Sequence, residues 1–156
     1  MKISRHLEKP GALTLYAECH LNAPLEDVFA FFADAANLQR LTPPWLHFKI
    51  LTPLPITMKA GVLIDYRIRL RGFPIRWRSQ IDSWEPPHHF VDTQVRGPYH
   101  LWEHHHRFSS TQNGTLAVDE VHYRAPFGFM SHSLLVNRDL EKIFAYRQAQ
   151  MNAVFA

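Results

Sequence analysis

Cysteine is almost absent from this sequence, which contains a single such residue, Cys19. One cysteine excludes an internal disulfide and any zinc site built from several cysteines, and it fits a reducing compartment. The six glycines form neither a phosphate-cradling loop nor the GxSxG turn that carries a nucleophilic serine. Enzymes that depend on a phosphate-cradling glycine loop or on a GxSxG nucleophile turn are therefore excluded.

Long apolar runs and a strong charge imbalance are missing as well. No apolar stretch approaches the roughly 18 residues of a membrane span, and residues 1–15 lack the apolar core and cleavage site of a secretory signal. A net charge of +3 is too small to indicate nucleic-acid binding by itself. The length of 156 residues fits one domain over residues 1–156, and a hydrophobic fraction of 46% is typical of a soluble globular protein. Without a secretory signal, we expect a cytoplasmic location.

Apolar and polar residues alternate with period two along much of the chain, which predicts strands. The first strand, at 13–21, is followed by two short helices that end before Pro43 and Pro44. A helical repeat from about Ser133 predicts a long C-terminal helix. Between them, further strands are predicted at VLIDYRIRL, IRWRSQIDSW, HFVDTQV, LWEHHHRF and TLAVDEVHY. This order predicts an α+β fold in which the terminal helix covers one face of an antiparallel sheet.

Five stretches carry a family resemblance: APLEDVFAFFADAANLQRLTP, WEPPHHFVD, RGPYHLWEHHHRF, YRAPFG and RDLEKIFAYR. The first resembles the opening helix pair of the SRPBCC superfamily, which includes START lipid-binding domains, polyketide cyclases and relatives of the birch pollen allergen. The other four resemble a bacterial, cyclase-like branch of that superfamily, and the element order agrees. The resemblance implies a helix-grip fold, with a curved sheet of six to seven strands wrapped around the C-terminal helix. It also implies an apolar cavity between sheet and helix, but no particular ligand chemistry.

The stretch LWEHHHRF carries three consecutive histidines, which a strand divides between its two faces. His104 and His106, flanked by Trp102 and Phe108, are predicted to face inward. His105 is predicted to face solvent. The apparent triplet is therefore an inward pair and one outward residue.

A hairpin closed by TQNG supplies a partner for the inward pair. With Phe108 opposite Thr115, His104 lies opposite Asp119, and a carboxylate there fixes the tautomer of an imidazole. His104 and Asp119 are the candidate catalytic residues, although such pairs are often purely structural. His104, His106 and Asp119 also match a facial metal triad, but a cupin-type site needs a glutamate that is missing at the expected offset. No metal and no other cofactor is predicted.

An arginine in the terminal helix is the second unusual feature. Arg147 lies between Leu140 and Met151, at the centre of the apolar stripe. A buried guanidinium needs a partner, since it does not lose its charge cheaply. Asp119, Glu103, a backbone carbonyl and a ligand carboxylate are the options, so Arg147 is the main candidate for ligand specificity.

The concave face is predicted to combine aromatic walls with a few hydroxyls, which suits a flat apolar ligand, although such residues are often simply core. Asp92 and Gln94 share a face that the sequence does not assign. The predicted ligand-binding residues are Tyr66, Trp77, Ser79, Trp102, His104, His106 and Arg147.

The opposite face of the second hairpin is basic, through Arg67, Arg69, Arg71, Arg76 and Arg78. This face is either simply solvated or meets an anionic membrane or a phosphate. The loop PFGFM, at 126–130, is predicted to border the cavity.

We therefore expect a protein that binds a small hydrophobic or amphipathic molecule between sheet and terminal helix. One competing hypothesis is a cyclase or dehydratase in which His104 moves a proton and Arg147 or Tyr66 stabilises an oxyanion. Another is an accessory domain that binds a membrane or a protein through the arginines. A small apolar molecule is the expected partner, and nucleic acid is not.

Overall fold

An antiparallel sheet and a long C-terminal helix dominate the part of the chain that the computed structural model describes, residues 1–125 and 132–156. The sheet order is β1-β2-β8-β7-β6-β5-β4-β3, and neighbouring strands are antiparallel throughout. The strands are β1 (Lys2–Arg5), β2 (Leu13–Leu21), β3 (Lys49–Ile50), β4 (Leu63–Leu70), β5 (Phe73–Glu85), β6 (His89–Arg96), β7 (Leu101–Thr111) and β8 (Gly114–Arg124). The α-helices are α1 (Leu25–Ala33), α2 (Leu38–Leu41) and α3 (His132–Val154), with short 3-10 turns at Ala35–Asn37 and Pro44–Leu46.

The predicted α+β helix-grip architecture is confirmed, with two differences. The described sheet has eight strands instead of six to seven, because β1 and β3 also pair with it. These strands contain four and two residues, too few to show a period-two pattern. The loop predicted to border the cavity, at 126–130, lies outside the described residues.

The hairpin of β4 and β5 shows how the sequence produces two-sided strands. Ile64 and Ile68 are buried on the inner face, while Arg67 and Arg69 are exposed on the outer face. Strand β4 turns into β5 through a two-residue loop, Arg71-Gly72, in which both residues have positive φ angles of 51° and 86°. Two positive φ angles are typical of the turn that joins twisted antiparallel strands.

The hairpin of β7 and β8 differs from the predicted register by two residues. Phe108 pairs with Ala117 and not with Thr115, because Gln112 and Asn113 form the turn, one residue later than predicted. Gly114 then begins β8 with a φ of 133°, and a Cβ there would lie only 2.1 Å from the carbonyl oxygen of Leu21. The glycine is needed for this close approach to β2.

Helix α3 packs against the inner face of the sheet between two apolar clusters. Leu140 and Phe144 belong to a cluster with residues of β2 and β8, including Leu15 and Val121. Met151 belongs to a second cluster, which contains the core of α1. Residue 147 lies on α3 between these clusters, so its side chain enters the interior of the fold.

Candidate functional site

A cavity of about 210 Å³ lies between the inner face of the sheet, α3 and the short helices. Its walls are largely aromatic, with Phe31, Phe32, Phe48, Tyr66, Trp77, Phe90, Tyr99, Trp102 and Phe144 among the lining residues. All seven residues predicted to bind a ligand line this cavity. Their role in binding stays a prediction.

The sheet side of the cavity is an aromatic wall with one hydroxyl pair. Tyr66 and Trp77 pair across β4 and β5 with stacked rings, 5.8 Å between centroids, and Trp102 meets Trp77 edge-on at 5.4 Å. Trp77 donates a hydrogen bond from Nε1 to the Ser79 hydroxyl at 3.1 Å, and the Tyr66 hydroxyl lies 3.4 Å from the same oxygen. Burial raises the pKa of Tyr66 well above its usual value, so this phenol stays protonated at neutral pH.

Arg147 enters the cavity from α3 and pairs with Asp119 on β8. Its Nε donates to Asp119 Oδ2 at 2.9 Å and its Nη2 donates to Oδ1 at 3.1 Å. The side chains are only 8% and 9% exposed, and the guanidinium also lies over the ring of Phe32, 5.2 Å from its centroid. The predicted need for a buried partner is therefore met by Asp119. Glu103, another candidate partner, lies on the outer face of β7.

Both inward histidines join this pair. His104 Nε2 lies 2.9 Å from Asp119 Oδ1, and His106 Nδ1 lies 3.2 Å from the same oxygen. His106 Nε2 also bonds Asp92 Oδ2 at 2.8 Å. The predicted register was wrong, because His106 and not His104 lies directly opposite Asp119. His104 nevertheless reaches Asp119 diagonally across the two strands, so the predicted contact is present.

Asp92 completes the cluster and was not recognised as a site residue from the sequence. It lies on β6 opposite His104, lines the cavity and accepts the hydrogen bond of His106. The period of two puts Asp92 on the same face as Phe90, but Val91 on the other face is also apolar and buried, so alternation alone did not show which face is inward. Gln94 follows on that face, and its amide bonds the backbone N–H and carbonyl of Tyr99.

The two carboxylates of the cluster remain ionised. Burial alone would raise the pKa of Asp119, but the charge of Arg147 and hydrogen bonds from both histidines lower it well below its usual value. Burial opposes ionisation of Asp92 too, but the hydrogen bond from His106 and the charges of His104, His106 and Arg147 together outweigh it, so the pKa of Asp92 is also lowered.

The two histidines are shifted in opposite directions. Burial, reinforced by the neighbouring His106, lowers the pKa of His104 to about 4. Burial also acts against the charged form of His106, but hydrogen bonds to Asp119 and Asp92 outweigh it and raise its pKa. His104 is therefore a neutral imidazole at neutral pH, while the doubly protonated form of His106 is favoured.

These protonation states leave one basic atom in the cluster without a proton. A neutral His104 that donates from Nε2 to Asp119 carries its lone pair on Nδ1, and this residue lines the cavity. The two carboxylates face the guanidinium of Arg147 and the imidazole of His106, whose protonated form they favour. The cluster can thus both donate and accept hydrogen bonds.

A metal ion has little access to this inner cluster. Three of its residues each offer one atom that could bind a metal, and these atoms lie within 4.8 Å of one another: Asp92, His104 and His106. Arg147 Nη2, however, lies 3.4 Å from His106 Nδ1, and this guanidinium is held in place by Asp119. A dication here would lie beside a fixed positive charge.

The outer face of the sheet differs from expectation at one histidine. His105 does not project into solvent: its side chain is 18% exposed, and its Nε2 lies 2.7 Å from Glu103 Oε1. The segment that joins β1 to β2 lies beside it, with Lys9 bound to Glu103 and His6 packed edge-on against His122. Contacts from a distant part of the chain explain the error.

The predicted basic face is present on the outer side of β4 and β5. Arg67, Arg69 and Arg76 are exposed. Arg78 forms a bidentate pair with Asp65 at 2.7 and 2.8 Å, and Arg71 binds Asp139 of α3 at 3.0 Å. These pairs neutralise part of the face, and a membrane or protein partner for it stays a prediction.

Comparisons with known proteins agree with this architecture. A family model described as polyketide cyclase / dehydrase and lipid transport matches residues 21–151. A search of curated proteins found no match. No helix in the described ranges is both long and apolar enough to cross a membrane.

Solved structures with the same fold share little sequence with this chain. The ZhuI aromatase/cyclase from Streptomyces sp. R1128 superimposes with a TM-score of 0.72 at 13% identity, covering 91% of this chain and 92% of its own. The ginseng major latex-like protein 151 from Panax ginseng has a TM-score of 0.68 at 9% identity, covering 93% and 98%. Protein Ms6760 from Mycobacterium smegmatis has a TM-score of 0.67 at 17% identity, covering 99% and 96%.

The opposite pKa shifts predict distinct titrations for the two inward histidines. We expect His104 to stay neutral until the pH falls to about 4, and His106 to stay protonated to a higher pH than an ordinary histidine. Nitrogen chemical shifts of the imidazole rings measure both, with His104→Gln and His106→Gln variants assigning the signals.

The sign of the stability effect follows from the same shifts. Since the folded-state pKa of His104 lies below that of the unfolded chain, its contribution disfavours folding as pH falls from about 6.5 to about 4. Protonated His106 stabilises the folded state at low pH, and this stabilisation is lost as pH rises through its raised pKa. Two histidines that both titrate near 6.5 would contradict the geometry described here.

Proposed function

The chain belongs to the polyketide cyclase / dehydrase and lipid transport family, and from this membership we propose that it binds a small, largely apolar molecule between the sheet and α3. One observation carries the proposal: an aromatic-walled cavity contains a buried polar cluster in which two carboxylates meet a guanidinium and two imidazoles. Apolar walls supply affinity, and a few placed polar groups supply orientation.

The cluster favours a neutral polar head on the ligand. Arg147 is already neutralised by Asp119 through two hydrogen bonds, so it offers little unpaired positive charge to a ligand carboxylate. Asp92 adds a second carboxylate to the cavity wall, which repels another anion. A phenol or ketone can bond to His104 or to the hydroxyls of Tyr66 and Ser79 without adding charge.

Three probes that differ only in their head group test this proposal. We expect 2-naphthol to bind more tightly than naphthalene, and 2-naphthoate to bind most weakly, because only the first adds hydrogen bonds without a buried charge. Quenching of tryptophan fluorescence and the rise in Tm measure the affinities.

A variant that fills the cavity provides the control. Ile68→Trp places an indole into the cavity lining, whereas Leu63→Trp adds the same group at an exposed position of the same strand. We expect Ile68→Trp to lose 2-naphthol binding and Leu63→Trp to retain it. If no probe raises the Tm of the wild type, the binding proposal is wrong; if 2-naphthoate binds best, the neutral-head assignment is wrong.

A second candidate function is catalysis of the cyclase or dehydratase type. The state of His104 supports this catalytic function, because its imidazole is neutral, is held by Asp119 and lines the cavity. Its Nδ1 has the properties of a general base for a proton next to a ketone, and the Tyr66 hydroxyl or Arg147 would stabilise the resulting enolate. The similarity to an aromatase/cyclase structure agrees with this candidate at the level of the fold.

Deuterium exchange into a ketone shows whether His104 acts as a general base or only binds the ligand. If His104 acts as a base, the protein accelerates deuterium uptake from D₂O at the α-carbon of 1-tetralone, a bicyclic aromatic ketone, and NMR follows the loss of the proton signal. His104→Gln should reduce the rate at least tenfold, while His20→Gln, at an exposed position, should not change it. Binding of 1-tetralone without acceleration would leave a binding protein and exclude this base.

A further inference from the structure

A second polar cluster lies on the outer face of the sheet, away from the cavity. Glu103 and His105 project from the same side of β7, and His122 of β8 lies directly opposite Glu103. We call these three residues the outer cluster. Their side chains are 25%, 18% and 13% exposed, so the cluster is largely enclosed.

Each residue of the outer cluster offers one atom that could bind a metal, and these three atoms lie within 4.8 Å of one another. Glu103 Oε1 lies between two imidazole nitrogens, 2.7 Å from His105 Nε2 and 3.4 Å from His122 Nδ1. Two imidazoles and a carboxylate on two paired strands are a ligand set that suits divalent transition metals. We propose that the outer cluster binds one such ion, of the Zn²⁺ class, with water in the remaining position.

The hydrogen bonds around His122 support this assignment. Its Nε2 lies 2.7 Å from Glu120 Oε1, and a proton on Nε2 leaves a lone pair on Nδ1. That Nδ1 is buried, forms no hydrogen bond with the described part of the chain, and faces the Glu103 carboxylate. A cation between these two acceptors, either a metal ion or a second proton on the imidazole, would satisfy both. A carboxylate that holds the far nitrogen of a metal-bound histidine is also a common arrangement in metal sites.

The neighbouring side chains define how many ligands the protein supplies. His6 packs against His122, but its Nδ1 accepts hydrogen bonds from the backbone N–H groups of Glu8 and Lys9, so its proton is on Nε2 and it is not a ligand. Lys9 binds Glu103 Oε2 at 2.7 Å and leaves Oε1 for the ion. The positive charge of Lys9 therefore weakens metal binding without blocking it.

Zinc titration of the untagged, full-length protein tests the proposal. At pH 7.5 we expect calorimetry to show one Zn²⁺ per chain, and Co²⁺ to give the visible absorption of a site with nitrogen and oxygen ligands. The double variant His105→Ala/His122→Ala should lose at least tenfold in affinity, while His20→Ala, at an exposed and distant position, should bind as the wild type does.

Two further variants make the outcome decisive even if the double variant folds poorly. Lys9→Ala should bind Zn²⁺ more tightly by threefold or more, and unchanged affinity would contradict an ion at Glu103. Asp92→Asn in the cavity should leave affinity unchanged, and a loss there would place the ion in the inner cluster and overturn the proposal. Wild-type protein that binds no Zn²⁺ at millimolar concentration overturns it as well.

Discussion

The paired charges of Arg147 and Asp119 are the constraint on which the interior depends. Burying two ions is costly, and the cost is offset only when the contact is close and the remaining polar atoms are satisfied. Here the contact is bidentate, and Asp119 also accepts from both inward histidines. One interaction thereby joins α3 to the sheet and keeps Asp119 ionised inside the cavity wall.

Strand β7 then divides its chemistry between two environments. Its inward residues, His104 and His106, share carboxylates with β6 and β8 inside the cavity. Its outward residues, Glu103 and His105, meet His122 and the segment that carries Lys9. Period-two alternation therefore divides one histidine run between two clusters: the inner one, for which we propose an uncharged head group, and the outer one, for which we propose a cation.

The sequence predicted much of this because the strand period and the cost of a buried charge are local properties. It identified the inward pair and required a partner for Arg147. The predicted register of β7 and β8 was wrong, since TQNG fits turns one residue apart; in the structure Gly114 begins β8, close to the Leu21 carbonyl of β2. The enclosure of His105 depends on a loop near the N-terminus, which strand periodicity does not report.

A double-mutant cycle on Arg147 and Asp119 tests the central claim most directly. Urea unfolding of Arg147→Leu, Asp119→Leu and the double variant gives the three changes in the free energy of unfolding. Asp119→Leu leaves a buried guanidinium without its carboxylate, and Arg147→Leu leaves Asp119 with its histidine partners alone. Each should lose about 3–5 kcal/mol, and the double variant should lose far less than the sum. Additive losses would show that the two charges do not depend on each other and would contradict this account.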